Sequence, residues 1–150
     1  MKKISALVMI AFLAITSISC SNDDDATPAT PVATDGFRWT DSSGSTIQTV
    51  DNPYANGAFN SIFAVRTGAT IYEINLTSLA VGTYPLGGAS SNALYYNSTG
   101  ALATSFSPTS GSVVITANAA NKLTGTFTAT GTGGGVTTVS GSFTNIVINP

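Results

Sequence analysis

The chain has 150 residues, of which 43% are hydrophobic and only 8% are charged, and its formal net charge is −2 at pH 7. Because it contains no histidine, a Ser-His-Asp hydrolase, a histidine zinc site and a histidine general base are excluded. Lysine and arginine together number five and form no basic patch, which excludes nucleic-acid binding.

The first 19 residues have the pattern of a secretory signal. Two lysines precede the apolar run Ile4–Ile15, and the small residues Ser17 and Ser19 stand just before Cys20. The apolar run is shorter than the ~20 residues that a transmembrane helix needs. We therefore expect residues 1–19 to be removed on export.

The Ser-Ile-Ser-Cys sequence that ends at Cys20 resembles a bacterial lipobox, although Ser17 stands where Leu, Val or Ile is usual. The resemblance implies that Cys20 becomes the first mature residue and carries a diacylglycerol and an amide-linked acyl chain such as palmitate. Acyl chains contribute ~0.8 kcal/mol per buried CH₂, enough to hold the protein on a membrane. The alternative is ordinary signal peptidase cleavage, which leaves the chain's one cysteine as a free thiol in an oxidising compartment.

An acidic segment follows the cysteine, and charge runs of this kind are usually solvated. It consists of Ser21, Asn22, Asp23, Asp24 and Asp25. The sequence Cys-Ser-Asn-Asp-Asp-Asp resembles the export signal of Bacteroidota surface lipoproteins. This resemblance implies an outer-membrane protein that faces the cell exterior, with the periplasmic face as the alternative.

The chain then divides into a linker and one domain. Residues 26–34 are rich in proline, threonine and alanine, which predicts an extended, semi-rigid linker. Residues 20–34 thus carry the lipid anchor, the export signal and the linker. Residues 35–150 are the right size for a single domain with its own core.

Short runs of β-branched and aromatic residues, separated by turn residues, predict strands throughout this domain. Loops are predicted at Asp51–Gly57, at Pro85–Gly88 and at Ser107–Gly111. The predicted strands are Phe37–Thr40, Thr46–Val50, Phe59–Arg66, Ala69–Leu76, Leu79–Tyr84, Ala93–Asn97, Ala101–Phe106, Ser112–Ala117, Leu123–Thr128, Val139–Thr144 and Ile146–Ile148.

Two hairpins can be predicted in register. Thr67 and Gly68 form a two-residue turn that sets Phe63 opposite Tyr72. One face of that hairpin then carries Phe63, Val65, Tyr72, Ile74 and Leu76, which we expect to be the core side.

The second hairpin contains an internal repeat, Leu-Thr-Gly-Thr-Phe-Thr and Val-Ser-Gly-Ser-Phe-Thr. We call the strands that carry its two copies the echo strands. A connection through three consecutive glycines sets Phe127 opposite Gly141 and Gly125 opposite Phe143. Each ring then covers the glycine of the partner strand, with Ala129 on the same inner face.

These elements predict an all-β domain, an antiparallel β-sandwich or a partly closed β-barrel of about eight to ten short strands. Gly82-Thr83-Tyr84, the two echo strands and the Cys-Ser-Asn-Asp-Asp-Asp start resemble small Bacteroidota (Flavobacterium-like) surface lipoproteins with an all-β domain. The resemblance rests on structural motifs and implies no catalytic residue.

The acidic residues offer little catalytic chemistry. A glycosidase pair would have to come from Asp35, Asp41, Asp51 and Glu73, and the three aspartates stand at turns. Glu73 could simply meet Arg66 across the first hairpin. Calcium could bind loop oxygens, but the EF-hand spacing is absent and turn formation explains these side chains. We therefore predict no enzyme, no metal and no cofactor.

Aromatic side chains are the candidates for ligand binding, because flat rings at a surface stack on sugars. The candidates are Trp39, Tyr54, Tyr95 and Tyr96. Tyr95 and Tyr96 are adjacent and must point to opposite faces of a strand, so one of them is expected to face outward. Packing within a strand face is the alternative for every ring.

Three functions remain. The favoured one is a membrane-anchored binding module for a glycan or a protein partner. The second is a structural or assembly component of the cell envelope. The third is a hydrolase that uses Asp51 and Glu73.

Overall fold

The computed structural model describes residues 34–67, 69–98 and 105–150, with the side chains of residues 45 and 46 left out. The predicted signal segment, Cys20 and the acidic residues 21–25 lie outside the described residues. In the described part of the chain, no helix is both long and apolar enough to span a membrane.

The described residues form ten strands in one sheet. They are β1 (Gly36–Asp41), β2 (Gly44–Thr49), β3 (Asn52–Asn56), β4 (Ser61–Arg66), β5 (Ala69–Asn75), β6 (Gly82–Leu86), β7 (Ala93–Tyr96), β8 (Ser107–Ala119), β9 (Lys122–Thr132) and β10 (Thr138–Asn149). The all-β prediction is therefore confirmed.

The sheet curls into a nearly closed barrel. Its strands follow the order β6-β8-β9-β10-β3-β4-β5-β7. Tyr96 at the end of β7 makes a bridge to Phe106, with N···O distances of 3.3 Å and 2.8 Å. Because Phe106 leads directly into β8, this bridge joins β7 to the beginning of β8 and nearly closes the circuit, with β6 paired to a later part of β8.

The long strand β10 joins two parts of the sheet. One of its edges pairs with β9. Its other edge is divided, since Gly36–Asp41 pairs antiparallel with its first half and Tyr54–Asn56 pairs parallel with its last residues. The strand β2 pairs only with β1 among the described strands.

Aromatic rings fill the inside of the barrel. Phe37 lies 5.1 Å from Tyr72 and 5.3 Å from Phe127, measured between ring centroids. Such ring contacts add to the free energy gained by removing their apolar area from water. The largest fully buried side chains are Trp39, Tyr72, Phe37, Phe106, Phe127 and Phe143.

The predicted register of the second hairpin is confirmed. Gly141 pairs with Phe127, and Phe143 pairs with Gly125. A Cβ atom at Gly141 would collide with the Phe127 ring and with the Arg38 carbonyl oxygen. Glycine is therefore required there by close approach, because the ring occupies the space of a side chain.

The predicted register of the first hairpin is wrong. Arg66 pairs with Ala69 as expected, but a β-bulge follows, so that Phe63 lies opposite Glu73. A bulge adds one residue to one strand and reverses the faces beyond it. Consequently Ile62 and Ala64 face the core, whereas Phe63 and Val65 are only partly buried on the outside.

Two predicted loops are also strands. Residues 51–57 contain β3, and Pro53 fits there because β10 pairs only from Tyr54 onward. Residues 107–111 belong to the continuous 13-residue strand β8, which is longer than the short strands that were predicted. A bulge between Pro108 and Ser110 lets this strand pass the proline.

Candidate functional site

A row of side chains crosses the outer face of five strands, which we call the outer row. Its members are neighbours by register from β10 through β3, β4 and β5 to β7. Inward-facing residues such as Ala55, Ile62 and Ile74 are fully buried, so the alternate residues face outward. The outer row consists of Val147, Tyr54, Phe63, Glu73 and Tyr95.

The outer row presents ring surface at two places. Tyr54 stacks on Phe63 with 5.1 Å between ring centroids. Tyr95 is 45% exposed, which is high for a tyrosine in a strand. The prediction that one of two adjacent tyrosines faces outward is therefore confirmed. Glu73 separates the two ring surfaces.

Glu73 is held in position by a short chain of hydrogen bonds. The Ser61 hydroxyl donates to Asn75 Oδ1 at 2.6 Å, and Asn75 Nδ2 donates to Glu73 Oε1 at 2.9 Å. The predicted contact between Glu73 and Arg66 is absent from the described residues. Arg66 instead donates to the Thr49 carbonyl at 2.6 Å.

A groove of about 350 Å³ lies beside Tyr95. Its wall includes Glu73, Tyr95 and Asn97. Asn97 is 7% exposed, and its Oδ1 atom has no hydrogen-bond partner among the described residues. Because this atom is itself buried, a ligand in the groove does not reach it.

Asp51, which precedes β3, and Glu73 on β5 are the pair named for a hydrolase. From strand rise and strand spacing, their backbones lie about 14 Å apart. The outer row itself contains one carboxylate, Glu73, beside its rings, and so offers hydrogen bonding and stacking.

A second carboxylate lies inside the barrel, in what we call the inner cluster: Asp41, Trp39, Tyr72 and Tyr96. Tyr96 donates its hydroxyl hydrogen bond to Asp41 Oδ2 at 2.5 Å. The backbone N–H of Ser43 donates to Asp41 Oδ1 at 2.9 Å, and the Ser43 hydroxyl contacts the same oxygen. Tyr72 stacks on Tyr96 with 4.5 Å between ring centroids.

The pKa values of the inner cluster are shifted by burial and by hydrogen bonds. Burial alone would raise the pKa of Asp41, but hydrogen bonds from Ser43, Tyr96 and Gln48 lower the pKa below its usual range. Burial raises the pKa of Tyr96, and its hydrogen bond to Asp41 adds to this effect. Burial likewise raises the pKa of Tyr72. At neutral pH the cluster thus contains one carboxylate and two neutral phenols.

The structure removes two rings from the predicted ligand-binding set. Trp39 and Tyr96 are each 2% exposed and pack in the core. They face inward because the β1 and β7 strands turn alternate residues toward the barrel interior. Arg66 covers the outside of Trp39, with its guanidinium carbon 5.2 Å from the ring centroid. Tyr54 and Tyr95 remain on the surface.

The described residues contain no group of three or more aspartate, glutamate, histidine or cysteine side chains able to hold a metal. Both carboxylate oxygens of Asp41 accept hydrogen bonds from protein donors. Asn56 accepts a hydrogen bond from the backbone of Phe59 at 3.2 Å, which is the turn role expected from the sequence.

Sequence reasoning missed Phe63, Asn75 and Asn97 as members of the outer surface. The bulge in the first hairpin, which moves Phe63 outward, has no strong local signal. Asn97 directly follows Tyr96, the last residue of β7. Its side chain is buried by the neighbouring strand, which the local sequence does not reveal. The backbone N–H of Asn97 donates to the Ile71 carbonyl at 2.8 Å, so β5 fixes its position.

Comparison with known families gives one match. A model described as a domain of unknown function, DUF6252, matches residues 55–147. The matched range contains Phe63, Glu73, Tyr95 and Asn97 and begins after β1, the strand that carries Trp39 and Asp41. No curated protein and no solved structure matches the chain.

Proposed function

The chain belongs to the DUF6252 family, a domain of unknown function, and we propose that it is an outer-membrane lipoprotein whose β domain binds a glycan without catalysis. The binding site is the outer row together with the groove beside Tyr95. Cys20 carries the lipid, and the linker before residue 35 keeps the domain away from the membrane surface.

One observation carries the glycan proposal: an exposed aromatic ring borders a groove whose wall also contains a carboxylate. Tyr95 offers a flat apolar surface for the carbon face of a sugar. Glu73, fixed through Asn75, offers a carboxylate acceptor for sugar hydroxyls. Few polar groups placed beside an apolar surface are typical of small-ligand sites.

Affinity gel electrophoresis with the full chain in detergent tests the binding. The gels contain cellulose derivatives, xylan, mannan, laminarin or starch. We expect at least one polysaccharide to retard the protein, and Tyr95→Ala to restore free migration. Phe59→Ala is the matched control because Phe59 is 76% exposed but lies in the turn between β3 and β4. Equal retardation of both variants would place binding elsewhere, and free migration in every gel would reject the proposal.

The lipid anchor is tested separately. Intact mass spectrometry of the native protein should show a chain that begins at Cys20 and carries acyl groups. Replacement of Cys20 by serine should release the protein from the membrane fraction. Proteinase treatment of whole cells then distinguishes the outer surface from the periplasmic face. An unacylated native terminus would reject the anchor while leaving the glycan site untouched.

A structural or assembly role in the envelope is the second candidate, and one feature favours it. The strand β2 is paired on one side only among the described strands, and Ile47 on it is 64% exposed. Unpaired strand edges accept an added strand from a partner protein. Crosslinking in intact cells would support this role if it captured an envelope protein in stoichiometric amount.

A further inference from the structure

The two ring surfaces of the outer row lie on opposite sides of Glu73. Three strand spacings separate Tyr95 on β7 from Tyr54 on β3. At about 4.8 Å per spacing, their backbones are roughly 14 Å apart. A single sugar that stacks on Tyr95 therefore cannot also reach the Tyr54 and Phe63 pair.

The row continues at its far end toward Lys122 on β9, which pairs with Val147 and is exposed. Val147 follows Tyr54 in the register and is 51% exposed. Stacked rings, a carboxylate, and an exposed ring thus alternate across the sheet, with the groove at Asn97 at one end. This arrangement offers repeated contacts to a ligand that lies across the strands.

Charge narrows the ligand further. Among the residues of the outer row and the groove wall, Glu73 is the only charged one. The nearest basic residue of β4, Arg66, is engaged with the Thr49 carbonyl and with the face of Trp39. Lys122 on β9 is exposed and pairs with Val147, four strand spacings away from Glu73. Between Tyr95 and Tyr54, an anionic ligand would therefore meet only the Glu73 carboxylate, which repels it.

We infer that the outer row binds an extended segment of a neutral polysaccharide laid across strands β7, β5, β4 and β3. This inference rests on the proposed glycan function and adds the length and charge of the ligand. Tyr95 and the groove hold one part of the segment. Tyr54 and Phe63 hold a second part, beyond Glu73.

Isothermal titration of the full chain with oligosaccharide ladders tests the inference. The probes are cello-, xylo-, manno-, laminari- and malto-oligosaccharides from disaccharide to hexasaccharide, with oligogalacturonate as the anionic probe. In the ladder that binds, the hexasaccharide should bind about tenfold more tightly than the disaccharide, the gain expected from a second ring contact. Tyr54→Ala should remove this gain and leave disaccharide affinity unchanged. Phe59→Ala should retain it.

The outcomes separate the two proposals. If no ladder binds, both the glycan function and its extension are rejected. If disaccharide and hexasaccharide bind the wild-type chain equally, the extended segment is rejected while the glycan function stands, and this result needs no variant to fold. Tight binding of oligogalacturonate would reject the neutral ligand.

Discussion

The inner cluster and the outer row are built from neighbouring residues of the same strands. Tyr72 faces inward and Glu73 outward on β5, while Tyr95 faces outward and Tyr96 inward on β7. Each set combines rings with one carboxylate. The comparison teaches that the pleat of the strand, rather than the residue types, decides which set stabilises the fold and which is available to a ligand.

The environments of the two carboxylates differ accordingly. Asp41 is enclosed, and protein donors occupy both of its oxygens. Glu73 accepts one hydrogen bond from the described residues, from Asn75 at 2.9 Å, and borders an open groove. The first carboxylate is satisfied by the fold, whereas the second retains an oxygen for a ligand.

The largest expected difference between the two regions comes from deleting a ring. Phe127→Ala should lower the free energy of unfolding by about 3 to 5 kcal/mol, because Phe127 is 1% exposed and its loss leaves a cavity. Phe63→Ala should cost less than about 1.5 kcal/mol, because Phe63 is only partly buried on the outer face. Urea denaturation measures both. Equal losses would contradict the division between inside and outside.

Deleting a carboxylate gives the next difference. Asp41→Ala should lower the free energy of unfolding by roughly 1 to 3 kcal/mol, because it leaves the buried Tyr96 hydroxyl without its acceptor. Glu73→Ala should change it by no more than about 0.5 kcal/mol. Thermal unfolding followed by circular dichroism compares the two variants. A larger loss of unfolding free energy for Glu73→Ala than for Asp41→Ala would contradict the assignment of Asp41 to the stabilising cluster.

The pH dependence of the free energy of unfolding should also reflect the enclosed position of Asp41. The folded-state pKa of Asp41 lies below its unfolded value of about 3.9, so its contribution is present above that pH and is lost as the pH falls through the folded pKa. The advantage of the wild-type chain over Asp41→Asn should therefore shrink as the pH falls below about 5. Denaturation at several pH values measures it. An advantage that grows toward acid pH would contradict this assignment.

The smallest effect is expected when the hydrogen bonds that position Glu73 are weakened. Ser61→Ala removes the hydrogen bond to Asn75, which in turn holds Glu73. Glycan affinity should fall about two- to fivefold, in line with the loss of one neutral hydrogen bond. Titration of the tightest oligosaccharide measures this loss. Thr83→Ala, a change on the exposed side of β6, should leave the affinity unchanged.

The sequence predicts most of the architecture for identifiable reasons. The echo strands carry glycine and phenylalanine at matching positions, so the pairing of Phe127 with Gly141 follows from their alternation and the glycine connection. The all-β class follows from the spacing of turn residues and from the absence of any helical period. These signals are local in the sequence. They predict the structure correctly because the residues that alternation places on one face are also the residues that the core buries.

The candidate site is less visible in the sequence because it depends on non-local pairing. The bulge in the β4–β5 hairpin moves Phe63 beside Glu73, and the residues next to the bulge do not predict its presence. The long strand β10 brings Val147 next to Tyr54, although the two are far apart in the chain. Alternation correctly assigned Tyr95 and Tyr96 to opposite faces, but only the closed sheet shows that Tyr96 is the inner one.

Chemical-shift mapping by NMR of the full chain in detergent, titrated with the tightest oligosaccharide, tests the central claim most directly. The account predicts that the amide signals of Glu73, Tyr95 and Asn97 move, while the indole signal of Trp39, the chain's single tryptophan, stays in place. Movement of the Trp39 indole signal with no change at Tyr95 would place the ligand in the inner cluster and contradict the account.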